Sequence, residues 1–153
     1  MTVNITEEAV DSADARKLLQ DLNTELTTRY DKGGADTFDV TDAPPRSSFL
    51  VARSEGEAVG CGALHPLMGD IAEVKGLYVT EGTRAQGIGK QLLQALEEEA
   101  ATHTFKAIWL TAGRLEAEAI MLFVKSGFEA MDCYGENLGN PLKVCFKKLI
   151  DKA

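Results

Sequence analysis

Between Ile71 and Leu93 a β-type run, a glycine-bearing polar turn and an amphipathic helix follow one another without a gap. This order restricts the fold more than any other part of the chain. The run Ile71-Ala-Glu-Val-Lys-Gly-Leu-Tyr-Val79 leads into a turn holding Arg84, Gly87, Gly89 and Lys90. Ile88, Leu92, Leu93 and Leu96 then recur at helical spacing. Glycine lets backbone N–H groups approach a ligand with no Cβ in the way. The first turn of a helix adds unpaired N–H groups and the positive end of the macrodipole. With Arg84 and Lys90 as cations, the stretch has the parts of a phosphate cradle. A tight strand-to-helix turn with a solvated Arg and Lys would read the same way.

Two common phosphate motifs do not fit. A P-loop would need its first glycine at Arg84 and a hydroxyl at Gln91; a dinucleotide fingerprint would need a glycine at Leu92. What remains is R-x-x-G-x-G, Arg84-Ala85-Gln86-Gly87-Ile88-Gly89. This hexamer resembles the acyl-CoA pyrophosphate loop of the GNAT superfamily of N-acetyltransferases. Glu118-Ala-Ile-Met-Leu-Phe-Val-Lys-Ser-Gly-Phe128 resembles its A-x-x-L-Y-x-x-x-G-F helix and turn. Phe49-Leu-Val-Ala-Arg and Ala58-Val-Gly-Cys-Gly-Ala-Leu are similar to its two hairpin strands, and Pro141–Leu149 to its last strand. The resemblance runs from about Phe49 to Leu149 in the superfamily's order.

The resemblance implies one N-acetyltransferase domain over residues 1–153, of α/β (α+β) class. Its mixed central sheet would have about six or seven strands with about four helices, splayed around an acetyl-CoA site. Acetyl-CoA is then the co-substrate. The backbone of Leu77, Tyr78 and Val79 would hold the pantetheine arm, and the amides of Ala85, Gln86, Gly87, Ile88, Gly89 and Lys90 the pyrophosphate. The expected activity is acetyl transfer to a primary amine of a small molecule or protein, and a homodimer is compatible with it. The alternative of a different class is a non-catalytic acyl-CoA-binding module of the same fold.

Acyl transfer to an amine needs a polarised thioester, a neutral amine and a stabilised leaving thiolate. Glu73 is the candidate base, a carboxylate on a mostly apolar strand at the place where the histone-acetylating branch keeps its glutamate. A surface Glu73 paired with Lys75 is the competing reading. His65 is the second candidate, since imidazole titrates near neutral pH. His103, at the expected helix end, reads as a C-terminal cap. Two positions depart from the superfamily. By the resemblance Phe123 would lie on the cofactor wall, where many members carry a tyrosine that protonates the thiolate, and Glu116 would stand where an asparagine often contacts CoA. Tyr134 is either a substitute donor or a packed tyrosine. Tyr78 reads as either pocket lining or core.

Composition narrows the rest. The hydrophobic fraction of 44% is ordinary for a globular chain. The net charge of −8 argues against nucleic acid and would suit either a cationic acceptor or simple solubility. No apolar stretch reaches membrane-spanning length, and Met1–Glu8 lacks the parts of a signal peptide. Cys61, Cys133 and Cys145, odd in number and without CxxC spacing, read as buried thiols in a reducing compartment, hence a cytoplasmic protein. Glu97-Glu-Glu99 reads as a solvated helix face.

Further elements follow from local signals. A short strand spans Thr2–Ile5. A helix capped by Ser12 or Asp14 runs towards Tyr30, and a loop with a short helical turn covers residues 31–46. A hairpin turns at Ser54-Glu-Gly56, and Ala107–Thr111 is an apolar central strand. A helix covers about Glu116 to Lys125, and two strands flank residues 135–140.

Overall fold

The computed structural model describes residues 3–30, 43–84 and 86–150. The loop expected over residues 31–46 therefore lies mostly outside the described residues, and so does Ala85. The chain order is β1 (Val3–Glu7), α1 (Ala13–Tyr30), β2 (Ser48–Ser54), β3 (Glu57–Met68), β4 (Ile71–Val79), α2 (Ile88–Thr102), β5 (Ala107–Gly113), α3 (Ala117–Lys125), β6 (Glu129–Met131) and β7 (Lys143–Leu149). Short 3-10 turns cover Glu81–Thr83 and Gly135–Asn137. One seven-stranded sheet has the order β1-β2-β3-β4-β5-β7-β6, so the strand number is as expected. Three α-helices appear among the described residues instead of about four.

Local chemistry explains most boundaries. Ser12 caps α1 through Oγ, which accepts the Ala15 N–H at 3.1 Å. The β2–β3 turn passes through Glu55 and Gly56, both with positive φ (52° and 84°), as a two-residue hairpin of matching twist requires. β4, α2 and β5 form a βαβ unit, with β4 and β5 parallel.

The sheet is covered on both faces. On one side α2 and α3 bury Leu50, Ala52, Ala72, Val74, Ile108 and Leu110; on the other α1 buries Phe49, Val51, Cys61, Ala63 and Tyr78. Alternate residues of β2 enter opposite cores, which is why Phe49-Leu-Val-Ala52 is apolar throughout. Leu92, Leu93 and Leu96 of α2 are fully buried. Each such side chain contributes about 1.5–3 kcal/mol of transfer free energy.

A bulge in β4 decides which side chains face which core. Two steps along β3, from Cys61 to Ala63, oppose three along β4, from Tyr78 to Lys75. Gly76 takes the left-handed conformation there, with φ 61°. Before the bulge, Ala72 and Val74 point to the α2 side; after it, Leu77 and Val79 do, while Tyr78 joins the α1 core. Tyr78 is thus core. Cys61 donates its thiol to the Gly76 carbonyl at 3.4 Å, and burial pushes that thiol up to about 12.

Two sequence expectations are corrected. Cys133 and Cys145 are joined in a disulfide across the β6–β7 connection, leaving Cys61 as the free, buried cysteine. The two residues come within 5.1 Å, Cα to Cα, because β7 returns beside the segment leaving β6. Cysteine usage therefore no longer argues for a reducing compartment. Among the described residues no helix is long and apolar enough to cross a membrane. The Glu97–Glu99 run is not simply solvated either. Glu97 accepts from Lys148 Nζ at 2.8 Å and Glu99 from Ser48 Oγ at 2.7 Å, with only Glu98 exposed.

The disulfide has a measurable consequence. Reduction of the purified protein should lower its unfolding free energy by about 2–4 kcal/mol in denaturant titrations. Cys133→Ser should show the same loss and no further response to reductant. Identical titrations of the wild type with and without reductant would mean that the bond does not form.

Candidate active site

The loop after β4 is built to present backbone. Thr80 and Thr83 close the 3-10 turn, with Thr83 N–H donating to the Thr80 carbonyl at 3.0 Å and the two hydroxyls 2.8 Å apart. Gly87 then caps α2 with φ 81°, a conformation that glycine adopts without Cβ strain. Its carbonyl accepts from the Gln91 N–H at 3.1 Å, so the amides ahead of Gln91 have no intrahelical acceptor. Ile88 is 1% exposed and anchors the helix in the core, whereas Gln86, Gly87 and Lys90 face solvent. Gly89 lets α3 approach: a Cβ there would come within 3.2 Å of Leu122 Cδ2.

Arg84 has partners within the protein. Its Nη2 donates to Glu25 Oε1 at 2.7 Å and its Nε to the Val79 carbonyl at 2.9 Å, with the guanidinium 5.6 Å from the Tyr78 ring centre. It ties the loop to α1, and Glu25 offsets its charge. Lys90 is the exposed cation of the loop.

Next to this loop the sheet opens. β4 and β5 pair from Ile71↔Ala107 to Val74↔Leu110 and then separate, although β4 continues to Val79 and β5 to Gly113. A cleft of about 720 Å³ occupies the gap. Leu77, Ala112, Ala119 and Phe123 line it on the helix α3 side; Leu22, Leu26, Glu73 and Tyr134 line it elsewhere. The unpaired edge of β4 can accept an extended ligand as an added strand.

Glu73 stands on the face opposite Ala72 and Val74, its side chain 16% exposed. Tyr134 Oη donates to its Oε2 at 2.6 Å, and Lys75 Nζ lies 3.4 Å from its Oε1. The Lys75 pairing is present because the bulge comes after Lys75, so the two residues still share a face. Tyr134 packs on Trp109, ring centres 5.2 Å apart. Burial, and then the bond to Glu73, hold the Tyr134 phenol well above its usual range, so it stays a donor at neutral pH.

The other candidates have structural partners. Phe123 is 5% exposed and lies between Phe128 and Phe146, at 6.0 and 5.9 Å between ring centres. Glu116 accepts from the Gly113 N–H at 2.8 Å and closes the β5–α3 turn. His65 is the register partner of Glu73 but lines a separate hollow with Ser48 and Phe49, not the cleft. His103 caps α2 through its backbone, as expected, and its Nε2 lies 3.1 Å from Ser48 Oγ. The Tyr134–Glu73 contact was not legible in sequence, because 61 positions separate the two residues. The only signal was a tyrosine beside a cysteine in the last hairpin.

A profile of the acetyltransferase (GNAT) family matches residues 15–128. The chain belongs to the GNAT family. It is an acetyl-CoA-dependent acyltransferase. An IAA acetyltransferase of Azospirillum brasilense is 34% identical over 134 residues, covering 86% of this chain and 88% of the relative. A Klebsiella pneumoniae structure described as an acyl-CoA N-acyltransferase superposes with a TM-score of 0.87 at 28% identity, over 98% of this chain and 99% of that one. A GNAT acetyltransferase of Elizabethkingia anophelis, solved with acetyl-CoA bound, shares the fold at a TM-score of 0.69 and 20% identity, over 96% and 97%. Acetyl-CoA as co-substrate suits the molecule: the Gly87 turn leaves amides open to an anion, and the edge of β4 beyond Val74 is free for the pantetheine arm.

Proposed function

We propose that the protein transfers the acetyl group of acetyl-CoA to a primary amine of a small molecule or protein, with Glu73 as the general base. The amides of residues 85–90 take the pyrophosphate, and Leu77, Tyr78 and Val79 take the arm along β4. Leu77 and Phe123 form apolar walls that keep water from the thioester. Holding thioester and amine side by side supplies a large part of the acceleration.

The observation that carries this reading is the Glu73 carboxylate on the wall of the cleft. A carboxylate has about four lone-pair sites. Tyr134 and Lys75 engage only part of that capacity, so an amine, or a water between them, can still bind. A lysine-like ammonium has a pKa of about 10.4 and is no nucleophile until it loses its proton. Glu73 takes that proton where the amine meets the thioester.

Thiol release from acetyl-CoA across amino acids, polyamines, aminoglycosides and peptide amines tests the reading. At least one class should raise release well above the rate without amine. Tight acetyl-CoA binding with no amine-dependent release in the whole panel would reject it.

A further inference from the structure

From the hydrogen bond between Tyr134 and Glu73 inside the cleft that Phe123 also lines, we infer that Tyr134 is a second catalytic residue, donating its phenolic proton to the departing thiolate. The inference rests on the acetyl-transfer reading above.

Phe123, on the wall of this cleft, has no proton to give. Tyr134 reaches the same cleft from a different element, the β6–β7 connection. Three tethers hold it there. Its neighbour Cys133 is bonded to Cys145 of β7, its carbonyl accepts from the Asn137 N–H at 3.1 Å, and its ring packs on Trp109 of β5. The hydroxyl is thus fixed against Glu73 Oε2.

The proton count closes. The first proton of the ammonium passes through Glu73 to solvent, leaving Glu73 ionised. The neutral amine nitrogen then bonds to the thioester carbon and gives a second proton to Glu73. The carbon–sulfur bond breaks as the Tyr134 O–H bond breaks and a sulfur–hydrogen bond forms. Glu73 returns its proton to Tyr134 Oη along the existing hydrogen bond. The products are the N-acetyl amine and free thiol, and both side chains end as they began. Coupling the two transfers avoids leaving a free phenolate in a buried site.

Tyr134→Phe keeps the ring and removes the hydroxyl. With acetyl-CoA and an accepted amine, kcat should fall by roughly 10²-fold or more, with acetyl-CoA affinity unchanged. With an acetyl thioester of a nitrothiophenol, whose thiolate leaves without a proton, kcat/KM of the variant should be close to wild type. Adding Phe123→Tyr to Tyr134→Phe should recover part of kcat with acetyl-CoA. Wild-type kcat in Tyr134→Phe would overturn the inference. An equal loss with both donors would also overturn it, reducing Tyr134 to a residue that positions Glu73. A wild type that turns over no amine would instead reject the acetyl-transfer reading, and this inference with it.

Discussion

Glu73→Gln is expected to leave acetyl-CoA affinity nearly unchanged while lowering kcat/KM for the amine by roughly 10²-fold or more. Glutamine keeps the size of the side chain. Its carbonyl oxygen can still accept from Tyr134, but its amide cannot pair with Lys75 and it cannot carry the proton. The Lys75 contact is partly exposed, its side chain 40% accessible, so losing it should cost at most about 1 kcal/mol of stability. Raising the pH should restore part of the activity. The acceptor's pKa is about 10.4, so below that value each unit of increase in pH supplies about tenfold more neutral amine. A pH–rate profile of both proteins checks the direction: the gap between them should narrow as pH rises. Wild-type activity in the variant at neutral pH would make Glu73 structural and move the search to a water chain.

Gly87→Val should abolish measurable acetyl-CoA binding in calorimetry. At φ 81° a valine is strained by about 1–3 kcal/mol, and relief of that strain would turn the amides of the helix start away from one another. Among the described residues, its chain neighbours apart, no atom lies within 4 Å of where its Cβ would be, so the side chain itself would project into the open face of the loop. Strain alone must be separated from loss of the cradle. Gly56, in the β2–β3 turn, has nearly the same φ, 84°, and equally open surroundings. Gly56→Val should therefore lose comparable stability and keep its affinity. Unchanged affinity in a folded Gly87→Val protein would remove the loop from the acetyl-CoA site.

Element order, strand number and the strand–loop–helix unit could be read along the chain because each depends on neighbours within a few residues. Ser12 caps its own helix, Gly56 makes its own turn, and the Leu92–Leu96 face repeats with the helical period. The turn at Gly87 that resembles the GNAT loop was legible for the same reason. What failed to show was any pairing of distant segments. Cys133 and Cys145 looked like separate thiols until β7 returned beside the segment that leaves β6. The Arg84–Glu25 pair was hidden for the same reason, since only the packing of α1 brings Glu25 against the loop.

The candidate site divides along the same line. The sequence by itself determined the left-handed glycine turn at Gly87, the acidic side chain at position 73 and the absence of a hydroxyl at position 123, since each is a property of a single residue or its own turn. Only the tertiary structure decided what those residues do to one another. A single extra residue at Gly76 sets Glu73 and Leu77 on opposite faces, and period-2 alternation cannot reveal a bulge before the partner strand is known. The gap between β4 and β5 exists because pairing stops at Val74, and no residue there announces it. The Tyr134–Glu73 bond is a contact across 61 positions, set by packing of the last hairpin on Trp109 and by the Cys133–Cys145 bridge. Local propensity carries no information about such distances, because they are fixed by the shape of the whole core.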